Sequence, residues 1–223
     1  MDKLKKKRYV LIGLFATILI YAFYLSRPEL ASTHRIWRAT GDASFVLLFL
    51  TLIIGPLSKL WRKTMILIPW RRQLGVWFTL VAILHTVLIF DGWLLWSVNK
   101  FLGYEFVSQL NAVVLVQPGF GLANILGLVS LFFGVVLLSV SSDRAIRYLG
   151  GNSWKYLQSF AYVIFYLGSF HAIYFAFFHF NQAMYYGREL NNWFSYYILI
   201  LFFTLVFVQI MSFIKTFKLR KRT

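Results

Sequence analysis

Apolar residues gather into six long runs, at about residues 9–25, 43–57, 74–96, 122–140, 154–180 and 193–214, separated by short polar segments. A bilayer's hydrocarbon core, about 30 Å thick, takes roughly 20 residues of helix. The pattern therefore predicts six transmembrane helices and no room for a second domain. The longest segment between runs, 97–121, contains a stretch of mixed character at 106–116, expected as a short amphipathic piece at the membrane surface. No internal repeats and no low-complexity linkers are apparent.

Composition agrees: 60% of the 223 residues are hydrophobic and 13% charged, against about 25% charged in ordinary globular domains. The net charge of +16 would suggest nucleic acid in a soluble protein. In a membrane protein it bears instead on orientation, because short cytoplasmic loops collect Lys and Arg. With the N-terminus inside, Lys3, Lys5, Lys6, Lys7, Arg8, Lys59, Arg62, Lys63, Arg71, Arg72, Arg144, Arg147, Lys155, Lys215, Lys218, Arg220, Lys221 and Arg222 are cytoplasmic, 18 of 23 basic residues. Only Arg27, Arg35, Arg38, Lys100 and Arg188 lie outside. The expectation is a multi-pass protein of the bacterial inner membrane with both termini cytoplasmic. The basic start before the first run also resembles a signal peptide, but no A-x-A-like site follows, so it is read as a retained helix. Trp93, Trp96, Tyr185, Tyr186 and Trp193 sit near expected outer boundaries, where such rings anchor at headgroup level.

The chain has no cysteine, which removes disulfides, thiol redox chemistry and cysteine-ligated clusters. Two of its four histidines, His85 and His171, lie far inside runs, where an ionisable group is expensive and points to function. At 1.5 Å per residue, His85 is about 21 Å and His171 about 26 Å from the cytoplasmic start of its helix, at similar height. Two imidazoles at one depth can ligate both faces of a haem iron. Hydrogen bonds between helices and a proton or ion path are the other readings of the same pair. Gly75, Gly127, Gly134 and Gly168 would leave room for a macrocycle or pack helices tightly. His179 is expected near the interface as a polar tip, and His34 in a solvated outer loop. Arg71, Arg72, Arg144 and Lys155 would suit a flavin phosphate or quinone headgroup, or serve only as inside charge.

Arg71-Arg72-Gln73-Leu74-Gly75, Leu84-His85, Ser142-Asp143-Arg144, Leu149-Gly150, Trp154-Lys155 and His171, with Thr40-Gly41 and Gly55-Pro56-Leu57, resemble the ferric reductase-like transmembrane family over about residues 40–180. The resemblance implies an all-α polytopic membrane protein, a six-helix cytochrome b bundle. Its implied cofactor is haem b, with His85 and His171 as axial ligands and electrons passing outward. The family has Leu-His-Arg where this chain has Leu157-Gln158-Ser159. The histidine associated with a second, inner haem is therefore absent, which implies one haem and leaves Gln158 beside a flavin (FMN or FAD) or a quinone. No G-x-G-x-x-G follows a strand, so electrons are expected from a cytoplasmic flavin reductase or membrane quinol. The implied acceptor is a periplasmic reductase catalytic subunit, a methionine sulfoxide reductase. An outer-face metal reductase, or a non-redox proton channel or transporter using the buried histidines, are the alternatives.

Overall fold

The computed structural model describes residues 3–179 and 192–221; Tyr185, Tyr186, Arg188 and Arg222 lie outside the described residues. The protein is an all-α polytopic membrane protein with six helices long and apolar enough to cross a bilayer. Helix α1 is Lys3–Leu25 and α2 is Ser32–Leu60. A 3-10 segment, Arg62–Trp70, leads into α3, Arg71–Ile89, which widens into a π turn at Phe90–Leu94. After the short α4, Val98–Leu102, come β1, Tyr104–Val107, and β2, Ala112–Leu115. Then follow α5, Phe120–Ser139, α6, Asp143–Leu149, α7, Gly151–Ser159, and α8, Ala161–Ile173. Helix α8 also ends in a π turn, Tyr174–His179, and α9 is Ser195–Arg220.

Helix α2 is the centre of the bundle. It packs against α1, α3, α8 and α9, and 56% of its most apolar stretch is buried inside protein, against 22–33% for the other spans. The apolar run 43–57 occupies the second half of this helix. Ser32, Thr33 and His34 in its first turn are exposed, and the helix becomes buried from Ala39 and Thr40 onward. Hydroxyls along α2 donate to carbonyls of their own helix: Thr40 to Ile36 and Trp37, Ser44 to Gly41, Thr51 to Leu47 and Ser58 to Gly55. Each such bond satisfies a polar group where water is absent.

Contacts between distant segments define two ends. At one, Asp143 accepts from Lys5 at 2.7 Å and Arg72 at 2.5 Å, and Lys215 Nζ donates to the Leu60 carbonyl at 2.9 Å. This basic end gathers the start of α1, the α2–α3 turn, α6 and the tail of α9. At the other, the fully buried Arg27 pairs with Asp42 and donates to Asn192 at 3.1 Å, while Trp193 Nε1 donates to Ser26 at 3.2 Å.

The stretch 106–116 differs from the amphipathic piece expected of it. Tyr104 pairs with Leu115 and Phe106 with Val113 in a two-stranded antiparallel hairpin, turned by Asn111 at φ 46°. The mixed pattern arises because the polar Ser108, Gln109 and Asn111 fall in the turn between the strands, where Asn tolerates the left-handed conformation.

One packing device recurs through the helices. A side chain of one helix donates to a backbone carbonyl of its neighbour, and the residue four positions later is glycine. Trp77 Nε1 reaches Tyr9 O at 2.8 Å, beside Gly13. Arg71 Nε reaches Thr51 O at 3.0 Å, where a Cβ on Gly55 would stand 3.3 Å from the guanidinium carbon. A helix carbonyl has a second lone pair, but the side chain one turn on normally shields it. Glycine there leaves the carbonyl accessible, and the two helices approach closely.

Candidate functional site: a histidine-lined cavity

The same device holds both buried histidines. On α3, His85 Nδ1 lies 2.9 Å from Trp37 O and 3.3 Å from Thr40 Oγ1, with its ring over Gly41, where a Cβ would come within 3.0 Å of Cε1. On α8, His171 Nδ1 lies 2.8 Å from Ala123 O on α5, with its ring over Gly127, where a Cβ would come within 2.7 Å of Nδ1. A carbonyl only accepts, so each Nδ1 carries the proton and each Nε2 keeps its lone pair. Tying one nitrogen to a carbonyl fixes both tautomer and ring orientation, the usual support for an imidazole that ligates metal.

The two arms follow one plan. Each histidine stands 48 residues beyond the carbonyl that it bonds. Each bonded carbonyl belongs to the preceding long span, and each histidine-bearing helix ends in a π turn. This correspondence, absent from the sequence reading above, is carried mainly by glycine, serine and histidine positions: Gly41 and Gly127, Ser44 and Ser130, His85 and His171.

Both imidazoles line one cavity of about 210 Å³. A water needs about 10–15 Å³ on this measure, so this is no packing defect in a close-packed interior. Phe45, Leu48, Phe78, Phe175 and Gly168 belong to its apolar wall, while His34, Arg38, Asp42 and Asn192 make a polar side. Arg27 sits behind that side, bonded to both Asp42 and Asn192. Aromatic rings close the space between: Trp37 stacks on Trp93 with centroids 5.9 Å apart, and Trp93 meets His179 at 5.2 Å.

The structure brings His85, His171, Gly127 and Gly168 together at the cavity. His179 packs among Trp93, Phe120 and Phe175 near its rim, and His34, exposed in the first turn of α2, lines its mouth. Trp93 faces this interior, whereas Trp96 is 68% exposed. Gly75 and Gly134 are helix contacts instead, facing Thr51 and Thr79. Arg71, Arg72 and Gln158 lie outside the cavity lining. Arg71 is bonded to α2 as described, and Arg72 to Asp143, with its guanidinium 5.9 Å from the Trp154 ring centroid. The Gln158 Nε2 is buried with no hydrogen-bond partner among the described residues.

Sequence reasoning missed Gly41 as a cradle, and Arg27, Asp42 and Asn192 as a polar wall. The signal for the wall was Asp42, a carboxylate directly before an apolar run. Among the described residues, no group of three or more His, Asp or Glu side chains could hold a bare metal ion. Two imidazoles suffice for the axial positions of a haem.

The fold and cavity define a class: a polytopic helical bundle enclosing a cavity lined by two oriented imidazoles. Residues 40–169, more than half of the 223-residue chain, match the family described as "Ferric reductase like transmembrane component". The chain belongs to this ferric reductase-like transmembrane family, whose domain suggests a role in electron transfer across the membrane. The matched segment contains His85 and ends two residues before His171. No solved structure matches the chain.

Proposed function

We propose that this protein is a b-type haem electron-transfer subunit in which His85 and His171 are the axial ligands of one haem. The observation that carries this reading is the pair of imidazoles, each tied through Nδ1 to a carbonyl, lining one apolar cavity. When bound, haem supplies a one-electron carrier inside the bilayer. The residues do the rest. Trp37 and Ala123 carbonyls hold the imidazoles in the ligating tautomer, Gly41 and Gly127 allow the rings to lie flat on neighbouring helices, and the phenylalanines exclude water. His34, Arg38 and Asn192 offer donors at the polar side, suited to the carboxylate substituents that haem carries.

By the positive-inside rule, the basic end with both chain ends faces the cytoplasm of a bacterial inner membrane, and the polar side of the cavity faces outward. Electrons would then enter from a cytoplasmic flavin reductase or membrane quinol. Arg71, Arg72 and Gln158, whose Nε2 has no partner among the described residues, lie towards the basic end, where a flavin or quinone would serve as an inner carrier. Arg71-Arg72-Gln73-Leu74-Gly75 and Trp154-Lys155 resemble motifs of the haem-binding membrane subunit of the periplasmic methionine sulfoxide reductase system, MsrQ, and a periplasmic reductase of that kind is the acceptor that this reading favours.

Protein expressed with ample haem and purified should carry close to one reducible b-type haem per chain. Colourless protein from such an expression would refute the proposal.

A further inference from the structure

A second concavity, separate from the histidine cavity, lies at the basic end between the last turn of α2 and the last turns of α9. It encloses about 330 Å³ and is lined by Leu60, Met211, Ile214, Lys215, Lys218 and Leu219. The five residues of α9 recur at helical spacing and form one stripe facing Leu60. Lys218 lies about two full turns beyond Met211, about 10 Å along the axis, so the stripe passes from apolar Met211 and Ile214 to cationic Lys215 and Lys218, with Leu219 beside the last. Lys215 Nζ is held 2.9 Å from the Leu60 carbonyl, at the negative end of the α2 dipole. Lys59, exposed, sits beside it in the same last turn. Met211, Ile214 and Leu219 are 41%, 39% and 56% exposed.

We propose that this groove binds one anionic phospholipid, its acyl chain along Leu60, Met211 and Ile214 and its phosphate at Lys215 and Lys218. From Met211 and Ile214 to Lys215 and Lys218 the chemistry runs in the order of a lipid's tail and phosphate, at the end of the span where headgroups begin. Two ammonium groups and no described acidic side chain in the lining select a lipid with net negative charge. A zwitterionic lipid would bring its own cation into the same place. The apolar half faces hydrocarbon, which a soluble phosphate would leave empty. Basic pockets between spans on a membrane's inner side hold anionic headgroups in this manner. The inference rests on the membrane fold alone and not on the haem.

The test is native mass spectrometry of the full chain in nanodiscs of phosphatidylcholine doped with phosphatidylglycerol. Wild-type protein should retain one phosphatidylglycerol in preference to phosphatidylcholine. Each lysine contributes about fivefold in affinity, so Lys215→Gln with Lys218→Gln should weaken retention about 25-fold. Lys6→Gln with Lys7→Gln removes the same charge from the same end and should leave it intact. Equal retention of both lipids by the wild type, unchanged retention in the Lys215/Lys218 variant, or equal loss in the Lys6/Lys7 control would each overturn the proposal.

Discussion

Replacing Gly127 by alanine tests how the histidines are held. The added Cβ would stand 2.7 Å from His171 Nδ1 and 2.8 Å from Cε1, closer than real Cβ contacts come. The ring must withdraw or rotate, and the 2.8 Å bond from Nδ1 to the Ala123 carbonyl breaks. A buried donor left unsatisfied costs about 1–3 kcal/mol, and an extra methyl group in a packed contact about 1–3 kcal/mol. The better helix propensity of alanine offsets about 1 kcal/mol, for a net loss of about 1–5 kcal/mol. Gly41→Ala should cost less, since its Cβ would lie 3.0 Å from His85 Cε1 and 3.3 Å from Nδ1. Gly151→Ala, with nothing within 4 Å of the new Cβ, should be neutral or slightly stabilising. Thermal unfolding in detergent reads the order of the three. Haem content reads the ligand's orientation, for which loss of an outer-shell partner typically costs about 10–100-fold in metal affinity. The reasoning fails if Gly127→Ala is as stable as Gly151→Ala and retains haem as the wild type does.

Arg27→Met leaves the Asp42 carboxylate, whose side chain is 14% exposed, without its bonded cation. Breaking a buried pair costs about 3–5 kcal/mol, reduced here by the neighbouring Arg38, whose charge also acts on Asp42. Arg27→Met with Asp42→Leu should unfold at a higher temperature than Arg27→Met alone, and a lower one would refute the pairing. Hydrogen bonds from Lys5 and Arg72 hold the Asp143 carboxyl down to about 2, from the usual 3.8. Because the folded value is depressed, the stabilisation is complete above about pH 4 and is lost as pH falls towards 2. Melting curves of wild type and Asp143→Asn should therefore run parallel above pH 5 and converge below pH 4. Gln158→Ala should leave the one-haem spectrum intact, as Gln158 lies outside the cavity lining; loss of the spectrum would place this residue at the haem.

The spans were legible because twenty-residue apolar runs have few other uses, and the histidine pair because an ionisable residue within such a run is rare. The devices that position the pair were not legible. A backbone carbonyl leaves no mark in the sequence, so Trp37 and Ala123 could not be picked out as acceptors. Glycines were visible, but their facing partners were not. Gly127 cradles the His171 ring, whereas Gly75 and Gly134 allow close packing against Thr51 and Thr79. Trp93 read as a headgroup anchor because boundary position suggests one, yet the π turn at Phe90–Leu94 lies at the cavity and Trp93 faces Trp37 and His179. Arg27 lies between the first two apolar runs, and only the fold carries it to the Asp42 carboxylate and Asn192.

Whether His85 and His171 together hold one haem is read from the haem-to-protein ratio and reduced-minus-oxidised spectra of His85→Ala, His171→Ala and His179→Ala beside the wild type. About one b-type haem per chain is expected in the wild type and in His179→Ala, whose imidazole packs among rings at the rim, with loss of the bis-imidazole spectrum in each of the other two. A normal spectrum in His171→Ala, with loss in His179→Ala, would contradict this ligand assignment.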